Sequence, residues 1–397
     1  MSPVAVAVVT AQFEEQVLPD STSPDLHLSH PTDEENLRIW KLTSNEWKDA
    51  LTIPQYLEES AYLMAIPLAR NKGMTQWILV DRTLAPNQRP ILASCETFRK
   101  LSLLSYPMKH SQLVVVHGIA SVYCNPDYRG RGYASRLLKE LNKTLPTWQY
   151  EGKPCVASVL FSDIQPRFYE NLGWHPFSSD HVEFEPAVVR HTAVPVYAED
   201  VARLCALDVA RLGHAMSCFS TNDMTRLLIL PDHDHMLWHH SKEEFVAQRL
   251  FGKAPLVKGA IRGEPGHFVW AIWMHRFYDH PDRNASENTL YILRFVVEDP
   301  TLSLDAVDNL TQLSHQQITS VTEVLRAAQA EAAEWNLHKI TLWNPSHALE
   351  RAIQLSGIPF QRKHRTQDSI PCLQWYGEGS GKPDSLNWLL NEKYGWC

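Results

Sequence analysis

The apolar and polar positions in the first half of the chain alternate in a way that predicts strands separated by helices. Five short apolar runs, bounded by turn residues, are typical of strands: TQWILVDR, ILASCETFRKL, QLVVVHGIASVYC, PCVASVLF and HVEFEP. Thr32 precedes three acidic residues, which favours a helix start, and four leucines between positions 137 and 145 form the apolar face of a later helix. This order predicts an α/β (α+β) fold with a mixed central sheet flanked by helices.

The second half of the chain predicts a similar order of strands and helices. HFVWAIWMHRF and LYILRFVVED are typical of a hairpin, Ser314 and Gln317 predict the capping box of a helix, and HKITLWN, HALERAIQLSG and IPCLQWYG predict a strand, a helix and a strand. We interpret this half either as a decayed copy of the first domain or as a separate α/β domain. The predicted organisation is a flexible arm over 1–24, a first domain over 25–190, and a second domain over 191–397 that ends in a packed aromatic tail.

Composition narrows the class of protein. Hydrophobic residues make up 44% and charged residues 21% of the 397 positions, the balance of a globular protein with two or three domains. No apolar run approaches the roughly 18 residues that span a bilayer, so we expect no membrane partner. The apolar opening lacks the basic start of a secretory signal.

Seven cysteines without a CxxC pair favour a reducing compartment and predict a cytoplasmic protein. The formal charge of −8 disfavours nucleic acid and mildly favours a cationic substrate.

The most informative stretch is a glycine-containing turn between the strand QLVVVHGIASVYC and the leucine-faced helix. Gly130 and Gly132 allow the chain to turn tightly and to present bare N–H groups, and the helix N-terminus adds unpaired donors and the positive end of its dipole. Such a turn suits a pyrophosphate, whereas its spacing matches neither a Walker loop nor the dinucleotide fingerprint. The alternative is a plain basic turn at a helix start.

This turn resembles the acyl-donor loop of the GCN5-related N-acetyltransferases, which has the pattern Arg/Gln-x-x-Gly-x-Gly/Ala and stands here as RGRGYA beginning at Arg129. A second motif of that family follows at the expected distance, as FYENLGW beginning at Phe168. The two motifs cover about residues 25–190. More narrowly, CETFRK, the glycine turn, the C-terminal half and the ending NEKYGWC resemble the fungal lysine N-acetyltransferases.

The resemblance implies acetyl-CoA as co-substrate and no metal. In the family, the fourth strand separates from the fifth, and the pantetheine arm lies in the gap against backbone groups, while amides of the glycine turn hold the pyrophosphate. The implied cofactor-binding residues are Val122, Tyr123, Cys124, Arg129, Gly130, Arg131, Gly132, Tyr133, Ala134 and Ser135. Ser162 stands where the family usually has an asparagine, which would weaken one contact to the arm. The second half lacks such a glycine-containing loop, so we expect it to form one wall of a substrate cleft, with its tryptophans in the core.

The implied reaction needs a group that accepts a proton from the amine, because an alkyl ammonium is almost wholly protonated at neutral pH. The usual glutamate is absent, since Gly118 stands in its place. Three candidates for the base remain open: Glu96, the terminal carboxylate of Cys397, and His117. Tyr169 matches the tyrosine that protonates the leaving thiolate, with a core aromatic as the alternative.

Two further features have competing interpretations. Cys124 beside a thioester suggests an acyl-enzyme, but a backbone contact is favoured because no His–Asp arrangement supports a nucleophile. The histidines between 232 and 240 suggest a metal site, but a substrate-side loop with scattered histidines is favoured.

We therefore expect an N-acetyltransferase that acts by direct transfer on a small cationic primary amine, first the ε-amine of free L-lysine. The alternatives are a polyamine or secondary-metabolite amine as substrate, a protein or peptide substrate, and a non-catalytic coenzyme A-binding regulatory protein.

Overall fold

The computed structural model describes residues 18–218, 223–298 and 313–396. Cys397 and the arm up to residue 17 lie outside the described residues. The elements of the first half are β1 (Leu26–Ser29), α1 (Asp33–Trp47), α2 (Ile53–Leu63), β2 (Met74–Asp81), β3 (Ala93–Ser105), β4 (Gln112–Tyr123), α3 (Tyr133–Thr144), β5 (Cys155–Ser162), α4 (Arg167–Glu170), β6 (His175–Pro176), β7 (Asp180–Phe184) and β8 (Val194–Val196).

The second half continues with α5 (Ala198–Ser217), β9 (Thr225–Ile229), α6 (His233–Phe251), β10 (Gly259–Arg262), β11 (Val269–Arg276), β12 (Thr289–Val297), α7 (His315–Glu334), β13 (Lys339–Trp343), α8 (His347–Leu355), β14 (Gln361–His364), β15 (Ile370–Trp375) and β16 (Leu386–Leu389). The predicted capping box forms at Ser314, and the predicted helix start at Thr32 also has a capping box; in both, the hydroxyl accepts a backbone N–H three residues later. None of the described helices has the length and apolar character needed to cross a bilayer.

The strands form two mixed sheets, so the predicted fold class is confirmed. One sheet has the order β1-β2-β3-β4-β5-β15-β6, with β9 added to β3 and β16 to β9, and the other has the order β14-β7-β13-β12-β11-β10-β8. Parallel pairing occurs between β4 and β5, between β12 and β13, and between β9 and β16.

The two sheets exchange strands. The run HVEFEP forms β7 but pairs with β13 and β14 of the second sheet, and the run IPCLQWYG forms β15 but pairs with β5 and β6 of the first. Because each exchanged strand makes its ladder hydrogen bonds in the other half's sheet, the two halves are tied together by the backbone.

Apolar packing connects the sheets as well. Val114 and Val116 of β4 belong to the same buried cluster as Trp270 and Ile272 of β11. On the outer face of the first sheet, the leucines of α3 are buried in a cluster with Trp77 and Trp174. The expected core tryptophans of the second half, Trp270 and Trp273, are 1% exposed.

The histidine segment expected to be a loop is helical, and that expectation was wrong. Asp232 caps α6 because its carboxylate accepts the His235 N–H at 3.1 Å, which stabilises the first turn. His235, His239 and His240 are buried on this helix. Across the described ranges, no three His, Cys, Asp or Glu side chains are grouped in a way that would hold a metal ion.

Candidate active site

The strands β4 and β5 separate at the end that leads to the glycine turn. Their parallel ladder runs from Val115 to Ile119 on β4 and ends opposite Leu160 on β5. Beyond that point β4 continues to Tyr123 without a partner on β5, whose other edge pairs with β15 from Ala157 to Ser162. The separation predicted from the family resemblance therefore exists, and it leaves the backbone of β4 after Ile119 free of β5.

A β-bulge shapes the same part of β4 on its other side. The pairing with β3 passes from Glu96 opposite Ala120 to Ser94 opposite Tyr123, so two residues of β4 face one residue of β3. Ser121 has a φ of 53°, in the left-handed region that non-glycine residues seldom adopt. The bulge takes Ser121 and Val122, which β5 also leaves unpaired, out of the β3 register.

The glycine turn is open and joins this gap to α3. Gly130 and Gly132 have φ values of 79° and 84°, which L side chains rarely adopt. Gly132 is the N-cap of α3, and no side chain caps the helix there. Its first N–H groups are therefore available to an anion, together with the positive end of the helix dipole. Gly130, Arg131 and Gly132 are exposed.

The rest of the turn is anchored to the protein. Arg129 donates from Nε to the carbonyl of Cys124 at 3.1 Å, and the buried Tyr133 donates its hydroxyl to the carbonyl of Pro19 at 2.6 Å. Arg136 of α3 donates to the carbonyls of Ser21, Ser23 and Leu26. This contact between α3 and the segment before β1 had no local signal in the sequence.

A cleft of about 1290 Å³ joins these features to the second half of the chain. Seven of the candidate residues line it: Glu96, Val122, Tyr123, Cys124, Arg129, Ala134 and Tyr169. The second sheet, the segment after β14 and the C-terminal tail contribute charged and aromatic side chains that the sequence did not single out for the site, including Glu183, Arg276, Tyr291, Arg365, Lys393 and Trp396, together with Trp343.

Glu96 lies on β3 beside the bulge, and both of its carboxylate oxygens are hydrogen-bonded. Gln76 donates to one oxygen at 2.7 Å and Ser121 donates to the other at 3.0 Å. Burial raises the pKa of Glu96, and these two hydrogen bonds only partly oppose that effect. A carboxylate with a raised pKa is a stronger base than one in water, which suits proton transfer near neutral pH.

Tyr169 lies on the short helix α4 and borders both the cleft and the core. Its ring packs edge-on against Phe168 at 5.0 Å, and burial raises the pKa of its hydroxyl. The hydroxyl therefore keeps its proton over the physiological range and can donate it. The sequence left two alternatives for Tyr169, a core aromatic or an acid at the site. The residue is buried and also lines the cleft, so its position is compatible with both.

The side chains of Cys124 and Ser162 are engaged elsewhere. The Cys124 thiol donates to the carbonyl of Leu92 at 3.3 Å, and burial raises its pKa, which disfavours the thiolate that a nucleophile needs. The Ser162 hydroxyl closes a turn at the end of β5 by donating to the carbonyl of Ile164 at 2.6 Å.

His117 is buried away from the residues that line the cleft. Its Nε2 faces the carbonyl of Trp148 at 3.3 Å, and burial lowers its pKa to about 4. The structure therefore brings Glu96 and Tyr169 into one cleft and leaves His117 outside it.

Comparison with known proteins gives a consistent picture. The family described as "LYC1 GNAT-like C-terminal domain" matches residues 178–397, and the family described as "Acetyltransferase (GNAT) domain" matches residues 103–176. A protein of Yarrowia lipolytica named "Lysine acetyltransferase" is 22% identical over 401 residues, covering 89% of this chain and 95% of that protein. An uncharacterized protein of Saccharomyces cerevisiae is 27% identical over 363 residues, covering 80% and 84% of the two chains.

A solved structure has a similar fold over a greater share of the chain than either of these relatives covers. The N-myristoyltransferase of Saccharomyces cerevisiae, determined with bound myristoyl-CoA, has a TM-score of 0.50 at 10% identity and covers 97% of this chain and 87% of that one. At this identity the likeness concerns the fold alone. The match over residues 178–397 spans more than half of the chain. The chain therefore belongs to the family of the LYC1 GNAT-like C-terminal domain and is an N-acetyltransferase of the GNAT superfamily.

Proposed function

We propose that the protein transfers an acetyl group directly from acetyl-CoA to a primary amine of a small cationic substrate, with the ε-amine of free L-lysine as the first candidate. The observation that carries the proposal is that one cleft joins the open glycine turn, the separated end of β4, and the side chains of Glu96 and Tyr169. The relative named as a lysine acetyltransferase supports the choice of lysine.

The residues present fit coenzyme A. The uncapped start of α3 offers backbone donors of the kind that hold a pyrophosphate, and a Cβ at Gly132 would come within 2.8 Å of Ser21 Oγ, so the turn is shaped for a glycine. The free backbone around Val122 and Cys124 would hold the pantetheine arm. Acetyl-CoA supplies an acetyl group activated as a thioester.

The side chains of the cleft then have distinct roles. Glu96 would accept the proton of the amine, directly or through a water molecule. The backbone N–H groups in the bulge at Ser121 and Val122 would stabilise negative charge on the carbonyl oxygen under attack. Tyr169 would donate its proton to the departing sulfur. The terminal carboxylate of Cys397 and the imidazole of His117 remain the alternative bases.

The shape of the cleft favours a small acceptor over a protein. Its walls come from both halves of the chain, with Trp40 and Trp47 of α1 on one side and Trp343 and Tyr291 of the second sheet on the other. A peptide substrate needs a long open groove, and aromatic walls contributed by several elements suit a compact molecule.

The test is release of coenzyme A measured over free amino acids, polyamines and lysine-containing peptides. We expect turnover with L-lysine, whereas turnover with peptides alone would contradict the small-molecule proposal and turnover with polyamines alone would favour the polyamine alternative. Tyr169→Phe distinguishes an enzyme from a coenzyme A-binding regulatory protein. The variant should lose turnover but still bind acetyl-CoA, measured by calorimetry, while a binding protein has no turnover to lose.

A further inference from the structure

Three cationic side chains from distant parts of the second half, Arg276, Arg365 and Lys393, line the cleft together, and we call them the cation cluster. Two tryptophans connect them. The guanidinium of Arg365 lies 3.9 Å from the ring centre of Trp343, and the Lys393 ammonium lies 4.5 Å from the same centre. Lys393 also lies 3.6 Å from the ring centre of Trp396, and Arg276 lies 5.2 Å from it.

The hydrogen-bonding capacity of the cation cluster is largely unused. Lys393 is 2% exposed, and its ammonium has aromatic faces but no carboxylate among the described residues as a neighbour within ion-pair distance. The guanidinium of Arg365 makes one long hydrogen bond, to the carbonyl of Asp180 at 3.5 Å, and its buried Nε and Nη2 have no partner among the described residues. Arg276 pairs with Asp49 at 2.8 Å, but its buried Nε has no partner there either.

Buried cations elsewhere in the protein differ: the Nζ of Lys100, a residue that is 0% exposed, also has no hydrogen-bond partner among the described residues, whereas two others are paired with carboxylates. Arg294 binds both Asp208 and Glu392, and Lys258 binds Glu243 at 2.6 Å. A buried charge without a partner is costly, so such groups are seldom retained unless something neutralises them. Burial and the two neighbouring guanidinium groups lower the pKa of Lys393, and a bound anion would oppose that effect.

We infer that the cation cluster binds the carboxylate of the amine substrate, so that the acceptor is an amino acid or a related amino carboxylate rather than a polyamine. This inference rests on the proposed function and specifies its substrate class. The planar guanidinium of Arg365, held on Trp343, presents adjacent N–H donors that match the two oxygens of a carboxylate. A polyamine would bring a second positive charge toward three cations and would be repelled.

The phosphates of coenzyme A are the other anions that enter this cleft. The glycine turn at the start of α3 already offers them uncapped N–H groups. The cation cluster instead lies on β11, in the segment after β14 and in the C-terminal tail, and aromatic rings surround it. We therefore assign the cluster to the acceptor and use the KM for acetyl-CoA to test that assignment.

The experiment compares three acceptors in the full-length protein. L-Lysine carries both an α-amine and a carboxylate, 6-aminohexanoate lacks the α-amine, and cadaverine lacks the carboxylate. We expect kcat/KM to be at least about tenfold lower for cadaverine than for 6-aminohexanoate, the size of one lost hydrogen bond to a charged group. Lys393→Met should lower kcat/KM about tenfold to a hundredfold for the two carboxylates, should not lower it for cadaverine because it removes a repelling cation, and should leave the KM for acetyl-CoA unchanged.

Lys109→Met is the matched control, because Lys109 is exposed and pairs with Glu378 outside the cleft. It should behave as the wild type with every acceptor. If Lys393→Met does not fold, Arg365→Met removes a cation from the half-buried side of the cluster and should give the same pattern of selectivity.

Two results overturn the inference while leaving the proposed function intact. One is an equal loss with cadaverine and with the two carboxylates, and the other is a raised KM for acetyl-CoA. If the wild type acetylates none of the amines, the proposed function fails. Calorimetric measurement of 6-aminohexanoate binding then tests the carboxylate subsite independently of activity. Binding that weakens in Lys393→Met would then support the subsite, and no binding to the wild type would overturn it.

Discussion

Replacing Glu96 by glutamine tests the proton acceptor with little change of shape. The wild-type carboxylate accepts one hydrogen bond from Gln76 and one from Ser121. An amide at this position keeps an acceptor for Gln76 and offers an N–H to Ser121, whose hydroxyl can rotate to accept it. The substitution therefore removes the ability to take a proton while it preserves the local hydrogen bonds.

We expect opposite effects on activity and stability. Loss of a general base typically lowers kcat about 10²- to 10⁴-fold. Burial raises the pKa of Glu96 above its ordinary value, so the folded protein binds this proton more tightly than the unfolded chain does. The stabilisation from Glu96 is complete below the unfolded pKa and is lost as pH rises through the raised folded pKa. At neutral pH, Glu96→Gln should therefore unfold at a higher temperature than the wild type. Its unfolding free energy should be higher by about 1.4 kcal/mol for each tenfold difference in proton affinity of Glu96 between the folded and unfolded states.

The assay combines coenzyme A release between pH 5 and 9 with thermal unfolding over the same range. Wild-type kcat should rise with pH through the raised pKa of Glu96, and this rise should be absent from the variant. Glu151→Gln, which alters an exposed carboxylate paired with Arg99, serves as the control and should match the wild type. Full turnover by Glu96→Gln would refute the assignment and leave the Cys397 carboxylate and His117 as the bases to examine.

Two other predictions concern the glycine turn and the buried ion pairs. Gly132→Ala places a side chain at a φ of 84° with its Cβ 2.8 Å from Ser21 Oγ, so it should cost about 1–2 kcal/mol of stability and raise the KM for acetyl-CoA. Gly252→Ala, with a φ of 67° and open space around its Cβ, should lose similar stability without a change in that KM. Arg294→Met leaves the buried Glu392 without its cation and Asp208 with Arg211 alone, and it should lower the unfolding free energy by about 3–5 kcal/mol, measured by urea titration. Arg326→Met, which breaks the more exposed pair with Glu323, should cost less than about 1 kcal/mol.

The sequence by itself determined the features that depend on neighbouring residues. The caps at Thr32 and Ser314 follow from side chains that reach a backbone N–H three residues away. The open turn at Gly130 and Gly132 follows from residues that tolerate a positive φ between a strand and a helix. For this reason the open glycine turn and the helix caps were predictable without the structure.

The tertiary structure decided which distant segments meet. The strands β7 and β15 were predicted as strands, but their alternation of apolar and polar residues suits either sheet, so their exchange was not visible. The helix α6 was missed because histidines and aspartates are weak helix formers, while the capping by Asp232 and the burial against the rest of the protein stabilise it.

Long-range contacts also explain why some site residues could not be identified from the sequence. Glu96 could not be separated from His117 until the register of β3 and β4 placed one beside the cleft and the other behind the sheet. Arg276, Arg365 and Lys393 carry no shared motif, since they are brought together only by the packing of the second sheet, the segment after β14 and the tail. Turns and helix caps depend on neighbouring residues and can be predicted from short stretches of sequence, whereas the environment of a buried charge depends on long-range contacts.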